Sequence, residues 1–138
     1  MIKEIVKDRE FLSKPAEPAT IDDMEVMQDL RDTLESLEDA VCLAATQIGS
    51  LKALIAYEDG GRTYTMMNPK IKIAAQPYTA QESCLSLEEV TEVKRFRMIT
   101  VAYQVPQDGN LVRRTKRFSG WTAEVVQHAI DHCAGKLV

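Results

Sequence analysis

His128 and His132 stand four residues apart in Gln127-His128-Ala129-Ile130-Asp131-His132, and they are the two histidines of the chain. On a helix, residues i and i+4 share a face with Cβ atoms about 5–6 Å apart, so both imidazoles can reach one metal ion. In a His-Glu-x-x-His helix the residue after the first histidine is the general base that takes a proton from the attacking water. That position is Ala129, which has no group able to carry a proton. The spacing alone leaves two readings open: a ligand pair, or two histidines hydrogen-bonded at a core edge or solvated. Further candidates for the same chemistry are Cys84, in Glu82-Ser83-Cys84-Leu85-Ser86, and Gln47, in the run from Ala40 to Gly49.

The elements that must position these groups follow from apolar spacing and turn residues. After an arm bearing Pro15 and Pro18, Thr20-Ile21-Asp22-Asp23 reads as a capped helix start. Met24, Met27, Leu30, Leu34 and Leu37 then keep helical spacing, which predicts a first helix of about four turns. The ranges 51–57, 62–67 and 71–74 read as strands, separated by Asp59-Gly60-Gly61 and by Asn68-Pro69, both read as turns. Two more strands, 98–105 and 111–118, join across Pro106-Gln107-Asp108-Gly109-Asn110 and are predicted to be antiparallel neighbours. Ser119-Gly120 opens a last helix to about Cys133, stopped by Gly135. Trp121, Val125, His128 and His132 form one stripe on it, predicted to face the sheet, with Glu124 on its border. Helix, strands, helix is an α+β layout.

At 138 residues and 45% apolar content, the chain reads as one domain, 1–138, that needs no disulfide or metal merely to hold together. A net charge of −4 gives no basic field for nucleic acid, and Arg113-Arg114-Thr115-Lys116-Arg117 is short enough to be one strand's solvated face. An odd count of 3 cysteines and an N-terminus that turns charged at once point to a reducing cytoplasm. No apolar run approaches the ~18 residues that would cross a bilayer.

Three of these segments, in order, resemble the motifs of the peptide deformylase family, which removes the formyl group from nascent N-formylmethionyl chains. The family's Gly-x-Gly-Leu-Ala-Ala-x-Gln corresponds to 40–47, Glu-Gly-Cys-Leu-Ser to 82–86, and Gln-His-Glu-x-Asp-His to 127–132. The resemblance implies a deformylase-like α+β fold, antiparallel strands packed around a C-terminal metal-binding helix with an N-terminal helix. It implies metal ligation by Cys84, His128 and His132, with a fourth position open for water. A thiolate with two imidazoles suits Fe²⁺, Zn²⁺, Ni²⁺ or Co²⁺, and Fe²⁺ is the family's usual working metal. By position, the Gln47 amide and the Leu85 backbone N–H would hold the developing oxyanion. Asp131 would pair with Arg95, and Val41, Trp121 and Val125 would help form the apolar pocket for the methionine side chain.

The departures bear on activity. Loss of a general acid/base group removes about 10²–10⁴ in rate, so Ala129 implies severely impaired hydrolysis. Glu82 and Glu124 do not sit where family members transfer protons. Family glycines are replaced at Ala40, Cys42 and Ser83, which narrows the substrate groove and favours divergence over a single inactivating change. Cys42 reads as a packing residue at the groove, and Cys133 as packing off the ligand face. The competing class is a deformylase-like protein that binds metal or peptide without turnover.

Overall fold

The computed structural model describes residues 1–138 except Cys84, Leu85, Leu87 and Glu88. A short helix α1 (Arg9–Leu12) lies in the N-terminal arm, capped by the Asp8 carboxylate on the Glu10 N–H at 3.0 Å. A 3-10 turn (Ile21–Asp23) with Thr20 and Asp23 in a reciprocal capping box leads into α2 (Met24–Ser36), as the apolar spacing predicts. Among the described residues five strands follow: β1 (Cys42–Ala44), β2 (Leu54–Asp59), β3 (Arg62–Glu82), β4 (Thr91–Gln107) and β5 (Asn110–Ser119). They form one antiparallel sheet in chain order. Helix α3 (Gly120–Cys133) closes the layout.

Alternation along the strands puts a helix on each face. Ala44, Ile55, Tyr57 and Met66 join α3 residues Val125, Val126 and Ala129 in one apolar cluster. Their immediate neighbours Leu43, Leu54, Ala56 and Met67 point the other way and pack with Leu30 and Leu34 of α2. A period of two is what sends successive side chains to opposite faces. Burial of each large aliphatic side chain contributes about 1.5–3 kcal/mol, so both helices are held chiefly by this packing.

Two hairpin turns are legible in sequence. Gly60 and Gly61 (φ 60° and 81°) join the Asp59–Arg62 pair, and Asp108 and Gly109 (φ 51° and 80°) join Gln107 to Asn110. Consecutive left-handed residues give the primed turn that matches strand twist. Asn68-Pro69 corrects the sequence expectation, because the chain runs through it as one 21-residue strand with register shifts, not a turn. Asn68 takes φ 51° there, and its amide donates to the Ala19 carbonyl (2.9 Å) and Gln104 (2.7 Å) while its oxygen accepts from the Ala19 N–H (2.7 Å). These bonds make the irregularity a bulge stitched to the arm, a setting that tolerates proline.

The arm also braces the last helix and the segment after β1. The Ala16 N–H donates to the Cys133 carbonyl, and the Val6 N–H to the Gln47 carbonyl, each at 2.8 Å. Gly135, with φ 78°, passes so close to the arm that an added Cβ would lie 2.5 Å from the Ser13 carbonyl oxygen. Gly135→Ala therefore combines a left-handed backbone with a clash and should destabilise the fold by about 2 kcal/mol or more. Gly60→Ala, with nothing within 4 Å of the added atom, should cost about 1 kcal/mol. Urea unfolding midpoints of the two variants check the difference.

Candidate active site

Helix α3 carries the histidine pair because its inner stripe is apolar and its middle is clamped to β4. The Gln127 amide donates to the Phe96 and Ala123 carbonyls and its oxygen accepts from the Phe96 N–H, all at 2.9 Å. Such a clamp fixes rotation of the helix about its own axis. His128 and His132 are thereby turned inward, and His132 is 0% exposed. Trp121 departs from the predicted stripe: in the first turn of α3 it is 64% exposed. Its ring edges the site and does not enter the core.

The two imidazoles meet with Nε2 atoms 3.1 Å apart. The Nδ1 of His128 lies 2.7 Å from the Glu82 carboxylate, an acceptor that holds the proton on Nδ1 and leaves the Nε2 lone pair directed at His132. His132 Nδ1 is buried without a hydrogen-bond partner among the described residues. Two converging imidazole nitrogens, one oriented by a carboxylate behind it, are the arrangement by which proteins set histidines toward a metal. The donor set fits a divalent transition metal. Among the described residues no third ligand joins them, and Cys84 lies outside those residues.

Glu82 is a residue whose role the sequence does not reveal. Its carboxylate also accepts two hydrogen bonds from Arg95, at 2.8 and 2.6 Å, while the remaining Arg95 nitrogen donates to Asp131 at 2.6 Å. The Arg95–Asp131 contact is the one implied by alignment. Burial alone would raise the Glu82 pKa, but His128 and Arg95 outweigh it and bring it down to about 2. Glu124, one turn before His128, shifts the other way: burial raises it, and Glu82 beside it adds to the rise. The Tyr78 hydroxyl donates to Glu124 at 2.8 Å, and burial first, then that contact, pushes the phenol up to about 12.

On the far wall, Gln47 is fixed through its oxygen, which accepts from the Ala44 N–H at 2.9 Å, so its amide nitrogen reaches toward Ser86 Oγ at 3.3 Å. A cavity of about 510 Å³ lies between, bordered by Gln47, His128, Val41, Cys42, Trp121 and Val125. Ala40 and Ser83, like Cys42 at positions of lost glycine, also face it. Cys42 starts β1 and packs against the α3 cluster. Cys133 packs against the same cluster, and burial pushes its thiol up to about 12. Ala129 is 0% exposed, inside the core cluster under α3. Leu85, the expected second oxyanion donor, lies outside the described residues.

The family model for polypeptide deformylase matches residues 2–138. A peptide deformylase of Clostridium beijerinckii is 42% identical over 139 aligned residues, covering 100% of both chains. Among solved structures, a peptide deformylase from Thermotoga maritima aligns with a TM-score of 0.86 at 28% identity, covering 99% of this chain and 95% of its own. One from Legionella pneumophila aligns with a TM-score of 0.85 at 30% identity, covering 99% and 83%.

A carboxylate held at about 2 in the fold, against a usual 4.5, stabilises the native state above pH 4.5, and that contribution fades as pH falls from 4.5 toward 2. Urea unfolding of the metal-free chain between pH 7 and pH 3 should show stability dropping in that window. Glu82→Gln should flatten the drop and also lower stability at pH 7 by about 3 kcal/mol, since it breaks a buried pair.

Proposed function

Because this chain belongs to the polypeptide deformylase family, hydrolases that remove formyl groups from nascent peptides, we propose that it acts on N-formylmethionyl peptides, with turnover severely reduced by Ala129. The observation that carries this reading is the convergence of the His128 and His132 Nε2 atoms, 3.1 Å apart, beside a cavity that Gln47 borders from the other wall. Family members generally use a divalent metal. In this reading Cys84, His128 and His132 hold it, Fe²⁺ foremost, with Zn²⁺ or Ni²⁺ as substitutes. A metal held there would supply Lewis-acid chemistry.

The chain's own residues do the rest. Glu82 keeps the His128 ring in one tautomer and one orientation. The Gln47 amide, pinned through its oxygen, donates to the oxyanion that develops on the formyl oxygen, and the Leu85 backbone N–H is assigned as the second donor. Each such donor is worth about 10²–10³ in turnover. Val41, Cys42, Trp121 and Val125 take the methionine side chain. Water attack must still release one proton to solvent and deliver one to the leaving amine, and Ala129 can do neither. The reading treats residues 1–138 as one catalytic domain acting in the cytoplasm without binding nucleic acid. No helix among the described residues is long and apolar enough to cross a membrane.

Elemental analysis of purified protein should find about one transition metal per chain, and Cys84→Ser or His132→Ala should lose most of it, because two remaining ligands make a poor site. Cys42→Gly should retain it. Full metal retention in both ligand variants would refute the assignment.

Ala129→Glu should raise formate release from formyl-Met peptides by about 10²-fold or more, mainly in turnover, since proton transfer acts on the transition state. The same change puts a carboxylate at a fully buried core position, so thermal unfolding should show a loss of about 1–3 kcal/mol. Unchanged formate release with metal bound would place the defect in the groove at Ala40, Cys42 and Ser83 and mark the chain as a metal-binding relative without turnover.

A further inference from the structure

A second concavity, of about 310 Å³, shares no described lining residue with the first. Its apolar wall is Ile71 and Ala74 of β3 with Phe96 of β4. Across the ladder Ile71 pairs with Val101 and Ala74 with Ile99, so these four side chains project from one face of the sheet. Val101 and Ile99 pack with α3 and are 0% and 1% exposed, whereas Ile71 is 37% exposed. The helix thus leaves this end of the face uncovered. Lys94, Arg95 and Lys136 supply the cations of the groove, and Asp131 is the carboxylate among its described lining residues. Arg95 is balanced by Glu82 and Asp131, and Lys136 reaches the other Asp131 oxygen at 3.7 Å. Lys94 stands over the Phe96 ring, 5.4 Å from its centroid, and no carboxylate among the described residues pairs with it. The Gln127 amide, also on the wall, is committed to backbone groups.

An uncovered apolar wall rimmed by cations in excess of anions matches an organic anion, which buries hydrocarbon and gains charge-assisted hydrogen bonds together. We propose that this groove is a second ligand site that takes a small monoanionic carboxylate with an apolar body. The hydrocarbon part lies on Ile71, Ala74 and Phe96, and the carboxylate lies between the Lys94 and Lys136 ammonium groups. Charge complementarity selects that occupant. With Arg95 balanced and Lys136 facing Asp131, Lys94 is the surplus, which suits a single negative charge and not a polyanion. A neutral apolar ligand would take water from the lysine heads without offering them a partner. Both lysines are exposed, and their flexible stems let them close on a carboxylate without disturbing the Arg95 bridge. The site is independent of the deformylase reading, because Ile71, Phe96, Lys94 and Lys136 do not border the catalytic cavity.

The test titrates the full chain, loaded with diamagnetic Zn²⁺, with phenylacetate, its neutral analogue phenylacetamide, and inorganic phosphate, following backbone amide shifts by NMR. Phenylacetate should give saturable shifts centred on the amides of Ala74, Lys94, Phe96 and Lys136, with those of Val41, Cys42 and Gln47 unmoved. Phenylacetamide should bind about tenfold more weakly, the scale of losing two exposed ion pairs. Phosphate, which cannot use the apolar wall, should also bind more weakly than phenylacetate. Lys94→Gln and Lys136→Gln should each weaken phenylacetate about threefold and together about tenfold, and Ile71→Ser about fivefold through lost apolar contact. All three side chains are exposed, and circular dichroism verifies that each variant is folded. The site is overturned by an absence of saturable shifts, or by shifts centred on the catalytic cavity. It is equally overturned by an amide that binds as well as the acid, by phosphate binding as tightly at the same amides, or by an affinity unchanged in the double lysine variant.

Discussion

The guanidinium of Arg95 is the constraint on which the site's geometry depends. It is a side chain only 4% exposed, and all three of its nitrogens are committed to carboxylates on β3 and α3. A charge in that position is tolerable only with both partners in place. The sheet therefore delivers Glu82, and the helix Asp131, to one point. From there the order passes outward: Glu82 orients His128, and His128 meets His132. Arg95 thus acts through Glu82 on the angle at which the imidazoles converge.

Much of this was legible in the sequence, for reasons that can be named. The period of 3.6 along α2 and α3, the Gly60-Gly61 and Asp108-Gly109 turns and the i, i+4 histidines are local signals, and each element formed where those signals fall. Asn68-Pro69 reads as a turn in sequence because turn chemistry and bulge chemistry use the same residues, and the distant Ala19 and Gln104 distinguish them. Helix α1 and strand β1 are too short for periodicity to reveal. The part of Glu82 and the outward position of Trp121 are tertiary facts. One needs a strand 13 residues away to supply Arg95, and the other depends on where α3 starts relative to the cavity.

The two walls of the cavity are built by different means. On the helix side, Gln127 is spent entirely on backbone groups of α3 and β4, so the residue next to His128 serves orientation and not chemistry. On the opposite side, Gln47 anchors its amide oxygen on the Ala44 N–H and donates from its nitrogen to Ser86 Oγ at the edge of the cavity it borders. Two glutamines of like burial thus have unlike duties, which their hydrogen-bond partners distinguish and their residue type does not.

The N-terminal arm acts as a girdle. It grips Gln47 through Val6 and the end of α3 through Ala16, so one strap holds both walls from behind. Loosening it would let the amide and the imidazoles drift together, and neither wall could compensate for the other. A lesion in the first twenty residues, remote from any reacting atom, would then read in an assay as a fault in the chemistry.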